Sequence, residues 1–372
     1  MNILIMKQSI IILIPLLFLL NGCSMQGRND LYQQTDSVVY ALLETVPVTS
    51  PGGEDAADDP AIWINHREPG KSLIIGTHKK AGLYVYTLEG KEFAFYPVGN
   101  VNNVDVRYGF SLGDGTRIDL IGASNRSDNS IVLMTIDPET YLLYNILEQK
   151  TYSALSEVYG FTFYHNRSAN RYYAFVVAKD GAGEQWEINA GENNLVRLTR
   201  VRSFSFKSQT EGLVADDDLG YLYAAEEGHC IWKIPADPDK EALKLKIELS
   251  DSLNPKIVYD LEGLAIYYGK EPHHGYLMAS VQGNNSYALF ERKEGNRYLG
   301  SFYIGADITD GTEDTDGLEV TSSALGSLHP NGILVVQDGY NYEGDSLMTQ
   351  NFKIIPWERI AALFEPALIT SE

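Results

Sequence analysis

The chain has 372 residues and a formal charge of −21, from 50 acidic against 29 basic side chains. That surplus excludes nucleic acid and anionic membrane as partners for the bulk surface, and an anionic substrate would need local cations. Hydrophobic residues make up 44% of the chain, enough for a sizeable core, while 33 Gly and 24 Tyr tilt it towards strands and turns.

The first stretch, "MNILIMKQSIIILIPLLFLLNGC", carries one lysine, an apolar run from Ile10 to Leu20, and small residues up to Cys23. The run is short for a membrane span and is interrupted by Pro15, so it reads as a signal peptide. Its end, Leu20-Asn21-Gly22-Cys23, resembles the lipobox of bacterial lipoproteins, in which the cysteine becomes the lipidated mature N-terminus. An ordinary signal with an incidental cysteine is the plainer alternative. The lipobox reading makes residues 1–22 a removed leader and 23–37 a polar tether. It expects an exported protein anchored through Cys23 to a bacterial membrane or the cell surface. Cys230 is the only other cysteine, so no intramolecular disulfide is available and stability must come from packing or metal.

From Val38 onward, short β-like runs alternate with Gly, Asp and Asn, and almost nothing shows a 3.6-residue period. Residues 72–90, 172–191, 220–237 and 275–295 share one form: a strand, a polar turn, and a strand with a central aromatic. Ahead of each lies a short strand headed by an acid, or once by Tyr, followed by a small residue or Pro. The heads are Asp59, Tyr159, Glu211 and Glu262, and Asp105 and Asp316 extend the set to six. Successive heads are 46, 54, 52, 51 and 54 residues apart. A period near fifty with three or four strands per repeat predicts an all-β, six-bladed β-propeller over residues 38–366, with 367–372 as a tail. Residues 37–48 and 351–360 are left to supply the ring-closing strand pair. Two unrelated β domains with coincidental spacing are the alternative.

Equivalent blade positions lie on one circle, so the heads are expected to face the central channel at one end. Asp58 and Asp260 stand one or two residues ahead of their blade heads. Carboxylates this crowded raise one another's pKa unless they share protons or bind metal. Oxygen-only ligands, with no clustered His and no spare Cys, favour Ca²⁺ over Zn²⁺. Six carboxylates, Asp316 among them, crowd "DITDGTEDTDGLEV" (307–320), which only partly mimics an EF-hand loop. On turns of the same blades stand Lys79 and Lys80, Arg126, and Lys179. Metal and fixed cations around one basin make a phosphate site. No phosphohistidine motif, cysteine-phosphatase loop or Walker loop is present.

At these residues the sequence resembles the β-propeller phytases, the alkaline, calcium-dependent phytate phosphatases of bacteria. The likeness runs from about Val38 to Ala362. It is carried by "DDPAIW" (58–63), "NNVDVRY" (102–108), "ASNRS" (123–127), "EVYGF" (157–161), "SQTEG" (208–212), "AEE" (225–227), "DLEGLAIYY" (260–268), "DTDG" (314–317), "QDG" (337–339) and "QNFKIIPWERIA" (350–361). The resemblance implies several Ca²⁺ ions and hydrolysis of phytate, or its calcium salt, by a calcium-activated water. It implies Asp58, Asp59, Glu211, Glu227, Asp260, Glu262 and Asp316 as active-site calcium ligands. Asp310, Asp338 and Asn341 are implied as ligands of stabilising calcium. Lys79, Lys80, Arg126, Tyr159 and Lys179 are implied as phosphate contacts, with Glu211 joining Lys79, Arg126, Tyr159 and Lys179 as the catalytic set. His78 stands where the family often has Asn. The rival readings are a calcium-dependent propeller lactonase or sugar hydrolase, and a surface-anchored binding propeller with purely structural calcium. A tethered monomer is the default assembly.

Overall fold

The computed structural model describes residues 37–50, 52 and 54–370. The expected leader, Cys23 and the expected tether up to Asp36 lie outside the described residues, and Ser37 already belongs to a strand. Six sheets, each built on four antiparallel strands and two of them carrying a fifth, follow one another around a ring. Blade 1 runs Ala57–Trp63, Leu73–His78, Gly82–Thr87 and Glu92–Tyr96, from axis to rim. The first strands of blades 2 to 6 are Val101–Ser111, Val158–Asn166, Thr210–Asp216, Leu261–Tyr268 and Leu318–Thr321. Each packs beside the first strand of the next blade, and the sixth returns to the first.

Closure uses both ends of the chain, as the leftover segments suggested. Leu43–Glu44 pairs antiparallel with Asn351–Pro356 as the outer strand of blade 6. A second N-terminal strand, Ser37–Tyr40, runs parallel to Tyr298–Gly305 and gives blade 5 a fifth strand. Two strands from the N-terminal end are thereby stitched into the neighbouring blades 5 and 6.

Six apolar clusters hold the ring, one in each gap between blades. Second strands are covered on both faces, which is why "LIIGTH" and "YYAFVVA" read as unbroken buried runs. Outer strands face solvent on one side, and "EFAFY" exposes Phe93 and Phe95. After the last strand a short helix, Trp357–Ala361, turns Trp357 onto Tyr267 with ring centroids 3.8 Å apart. Cys230 is free and fully buried, and burial pushes its thiol up to about 12.

Candidate active site at the mouth of the channel

In blades 1 to 5 the first strand carries a bulge near its start. Three residues advance against two on the second strand between Ala57 and Pro60, Val101 and Val104, Val158 and Phe161, Thr210 and Leu213, and Leu261 and Leu264. A bulge of this kind re-aims a side chain out of the sheet, here towards the axis. Blade 6 reaches the same register at Leu318, opposite Val336. The residues at the bulge define one ring: Asp58, Asn102, Tyr159, Glu211, Glu262 and Asp316.

Two expected heads are therefore corrected. Blade 1 contributes Asp58, with Asp59 one step deeper, and blade 2 contributes Asn102 instead of Asp105. The bulge falls at Asn102-Asn103, so Asp105 lies three residues further down the channel. There it takes bonds from Arg107, Thr162 and the Phe163 N–H. Its near-regular spacing from Asp59 was coincidental.

The small residue after each head has a steric cause. A Cβ on Gly160 would sit 2.0 Å from the Glu211 carbonyl oxygen, and one on Gly212 would sit 1.9 Å from that of Glu262. Neighbouring blades approach too closely for any side chain there. Blades 1 and 2 are exceptions, and Asp59 uses its side chain to accept the Val104 N–H at 3.0 Å.

A second ring follows from the same register. The residue just past each second strand is Lys79, Arg126, Lys179, Glu227, Gln282 and Gly339 in blades 1 to 6. The cations thus follow the second strands, and they occupy three consecutive blades. Inner-ring carboxylates occupy blades 4, 5, 6 and 1, and blades 2 and 3 present neutral Asn102 and Tyr159. The mouth is split into a cationic side and an acidic side.

On the acidic side, ligand oxygens of Glu211, Glu227 and Glu262 all lie within 4.8 Å of one another. All three side chains are buried, and Glu227 Oε1 and Glu262 Oε2 accept no hydrogen bond. Burial, reinforced by the neighbouring carboxylates, raises the pKa of Asp58 and Glu262, and it carries Glu227 and Asp316 up to about 7. Lys79 reaches into this cluster, 2.6 Å from Asp316, 2.6 Å from Asp55 and 3.3 Å from Asp58. Burial opposes its charge, but those acids outweigh it and hold the ammonium protonated. Gln282 donates to the other oxygen of Asp316 at 2.7 Å. Asp260 is exposed at the edge, close enough to raise Glu227 further.

On the cationic side, Arg126 and Lys179 lie over the ring of Tyr159, at 5.8 and 5.0 Å. The Tyr159 hydroxyl meets Glu211, and burial together with that carboxylate raises its pKa, so it remains a neutral phenol. Asn102 joins the two sides. Its amide donates to Glu211 at 2.5 Å and its oxygen accepts from Arg126 at 3.2 Å. Glu157 receives Arg126 at 2.7 Å. Neither Asn102 nor Glu157 was singled out from sequence; the head-and-turn repeat marks Asn102 only once the bulge register is known. Lys80 differs from its neighbour, being exposed and paired with Glu54 at 2.5 Å. His78 is buried under the same turn, where burial lowers its pKa.

Asp310, Asp338 and Asn341 come together elsewhere, in blade 6 beside its closing strand. They surround Lys353, with Asp338 at 3.0 Å, Asn341 at 3.2 Å and Asp310 also in contact. Glu44, unmarked in the sequence, completes the set at 2.6 Å. The fourteen-residue acidic stretch is thus divided. Asp316 serves the mouth, Asp310 serves the Lys353 cluster, and Glu319 lines the channel, a cavity of about 290 Å³.

The buried oxygens without partners and the all-oxygen donor set fit a hard divalent cation at the mouth. Three carboxylates around one ammonium leave a similar surplus at Lys353. The described residues contain no helix long and apolar enough to cross a membrane. The phytase family matches residues 7–370 of this chain. A 3-phytase of Bacillus subtilis (strain 168) is 46% identical over 328 residues, which cover 87% of this chain and 84% of that protein. With the propeller, the split mouth and both matches in agreement, the chain belongs to the phytase family.

Proposed function

We propose that this protein hydrolyses the phosphate monoesters of phytate at the channel mouth, in a reaction that depends on calcium held by Asp58, Glu211, Glu227, Glu262 and Asp316, with Asp59 and Asp260 at the margins. The single observation that carries this reading is the division of the mouth, with cations on three successive blades facing a buried carboxylate cluster with unpartnered oxygens. Divalent metal there would supply positive charge to phosphate oxygens and make a water molecule more acidic.

The chain's own residues supply the rest. Arg126 and Lys179 present N–H donors to phosphate oxygens and neutralise charge that grows as the ester breaks. Lys79 stands between the acids and the phosphate side, and in this arrangement its charge is committed to Asp316 and Asp58. Tyr159 is a platform for the two cations and a hydrogen-bond donor to Glu211, since its raised pKa rules out a role as base. A sugar lactone has no charge for Arg126, Lys179 and Lys79 to bind, which disfavours the lactonase reading.

Product analysis of inositol phosphates, after chelation and dialysis and then with calcium restored, tests the proposal. Phosphate release that appears only with calcium supports it, and release undiminished by chelation defeats it. Asp310, Asp338 and Asn341, with Glu44, are proposed to hold a stabilising calcium beside Lys353. Export and lipidation at Cys23 are also proposed, on the lipobox alone. Radiolabelled palmitate incorporated by the natural chain and lost in Cys23→Ala would support the anchor. A monomer remains the expected state.

A further inference from the structure

Arg126 and Lys179 stand side by side over one tyrosine ring, and two bare cations there would repel each other. Glu157 relieves that repulsion. One of its carboxylate oxygens accepts from Arg126 Nη2 at 2.7 Å and Nε at 3.2 Å, and lies 3.5 Å from Lys179 Nζ. The remaining Arg126 contact, Nη1 to Asn102, points to the acidic side. An arginine edge and an adjacent ammonium converging on one oxyanion is the arrangement a phosphate oxygen would take.

Building on the phosphate-site reading, we propose that Glu157 is an internal competitor: its carboxylate occupies the anion subsite formed by Arg126 and Lys179, and an incoming phosphate displaces it. The residue is placed for this. It sits on the segment leading into the first strand of blade 3, two residues before Tyr159, and its side chain is 44% exposed, so it can swing into solvent without opening the core. The Arg126 hydrogen bond outweighs the small cost of burial and lowers its pKa, keeping it ionised wherever the enzyme works. A carboxylate carries one negative charge. A phosphate monoester carries up to two and brings three oxygens, so it wins the exchange, whereas singly charged anions compete poorly. Glu157 thereby sets a threshold that favours densely charged substrates.

A buttress that merely aims Arg126 would have the opposite signature. The test compares the natural chain with Glu157→Gln and Glu157→Ala, all calcium-loaded, by inhibition with inorganic phosphate and by KM and kcat on phytate. Competition predicts that both variants bind inorganic phosphate about two- to fivefold more tightly, with KM for phytate falling in step. They should also gain inhibition by singly charged acetate. Unchanged or weaker phosphate inhibition, or a raised KM, overturns the proposal and leaves Glu157 a buttress. If the natural chain releases no phosphate from phytate, the parent reading fails instead. Calorimetric binding of inorganic phosphate to the same three proteins then still decides the role of Glu157.

Discussion

Two carboxylate clusters on this propeller look alike in composition and differ in what balances them. In blade 6, Glu44, Asp310 and Asp338 converge on Lys353, whose ammonium is 0% exposed and also meets Asn341 and Asn351. At the mouth, Lys79 reaches Asp316, Asp58 and Asp55, but Glu211, Glu227 and Glu262 crowd together beyond it. The first cluster has a cation built into the chain at its centre. The second has no fixed cation among its three glutamates, where the proposed catalytic metal would sit. A fixed cation makes a brace; an exchangeable one makes a site that anions can use.

The sharpest way to break the brace is Lys353→Ala. Removing the ammonium strands three acids, of which Asp338 is fully buried, with an expected loss of about 3–5 kcal/mol in urea unfolding without metal. Calcium, which these acids are also proposed to hold beside Lys353, should restore part of it. A loss below about 1 kcal/mol would show that the acids are already neutral there.

At the mouth the same logic predicts the opposite effect on stability. Glu211→Gln should cut phosphate release by about 10²–10³-fold. The metal-free protein should nonetheless melt higher, because one of several crowded like charges is gone. Full activity in this variant would remove Glu211 from the site. Asn102→Ala should have a smaller effect, about tenfold on calcium-activated turnover, because it unties Glu211 from Arg126 without removing either. Unchanged turnover and calcium demand would make Asn102 a spectator.

The mildest effect is on pH. Burial carries Glu227 and Asp316 up to about 7 and Asp338 up to about 6. In the unfolded chain such groups ionise near pH 4, so between about 4 and 7 the fold holds protons that the unfolded chain has released. Metal-free stability should therefore fall as pH rises through that window and level off above it. Bound calcium favours the ionised groups, so melting curves with calcium should fall less or rise over the same range. Parallel slopes in chelator and in calcium would contradict this.

Much of this was legible in the sequence, for identifiable reasons. The period near fifty gave the blade number because each blade buries one apolar repeat and ends in polar turns. The acid-then-small pattern reflected a steric limit, since Gly160 and Gly212 face carbonyls of the next blade. What failed was register. A bulge adds a residue without leaving a mark, so Asp105 stood in for Asn102, whose neutral side chain carries no acidic signature. Glu157 reads as an ordinary rim charge until its oxygen is seen between Arg126 and Lys179. Glu44 lies far from Lys353 in the chain, and only ring closure brings them together.

Binding of inorganic phosphate, followed by calorimetry while calcium is titrated into chelated protein, tests the central claim most directly. The account predicts no detectable binding without the metal, and binding that grows with calcium and disappears in Glu211→Gln. Equal phosphate affinity in the chelated and calcium-loaded proteins would contradict it.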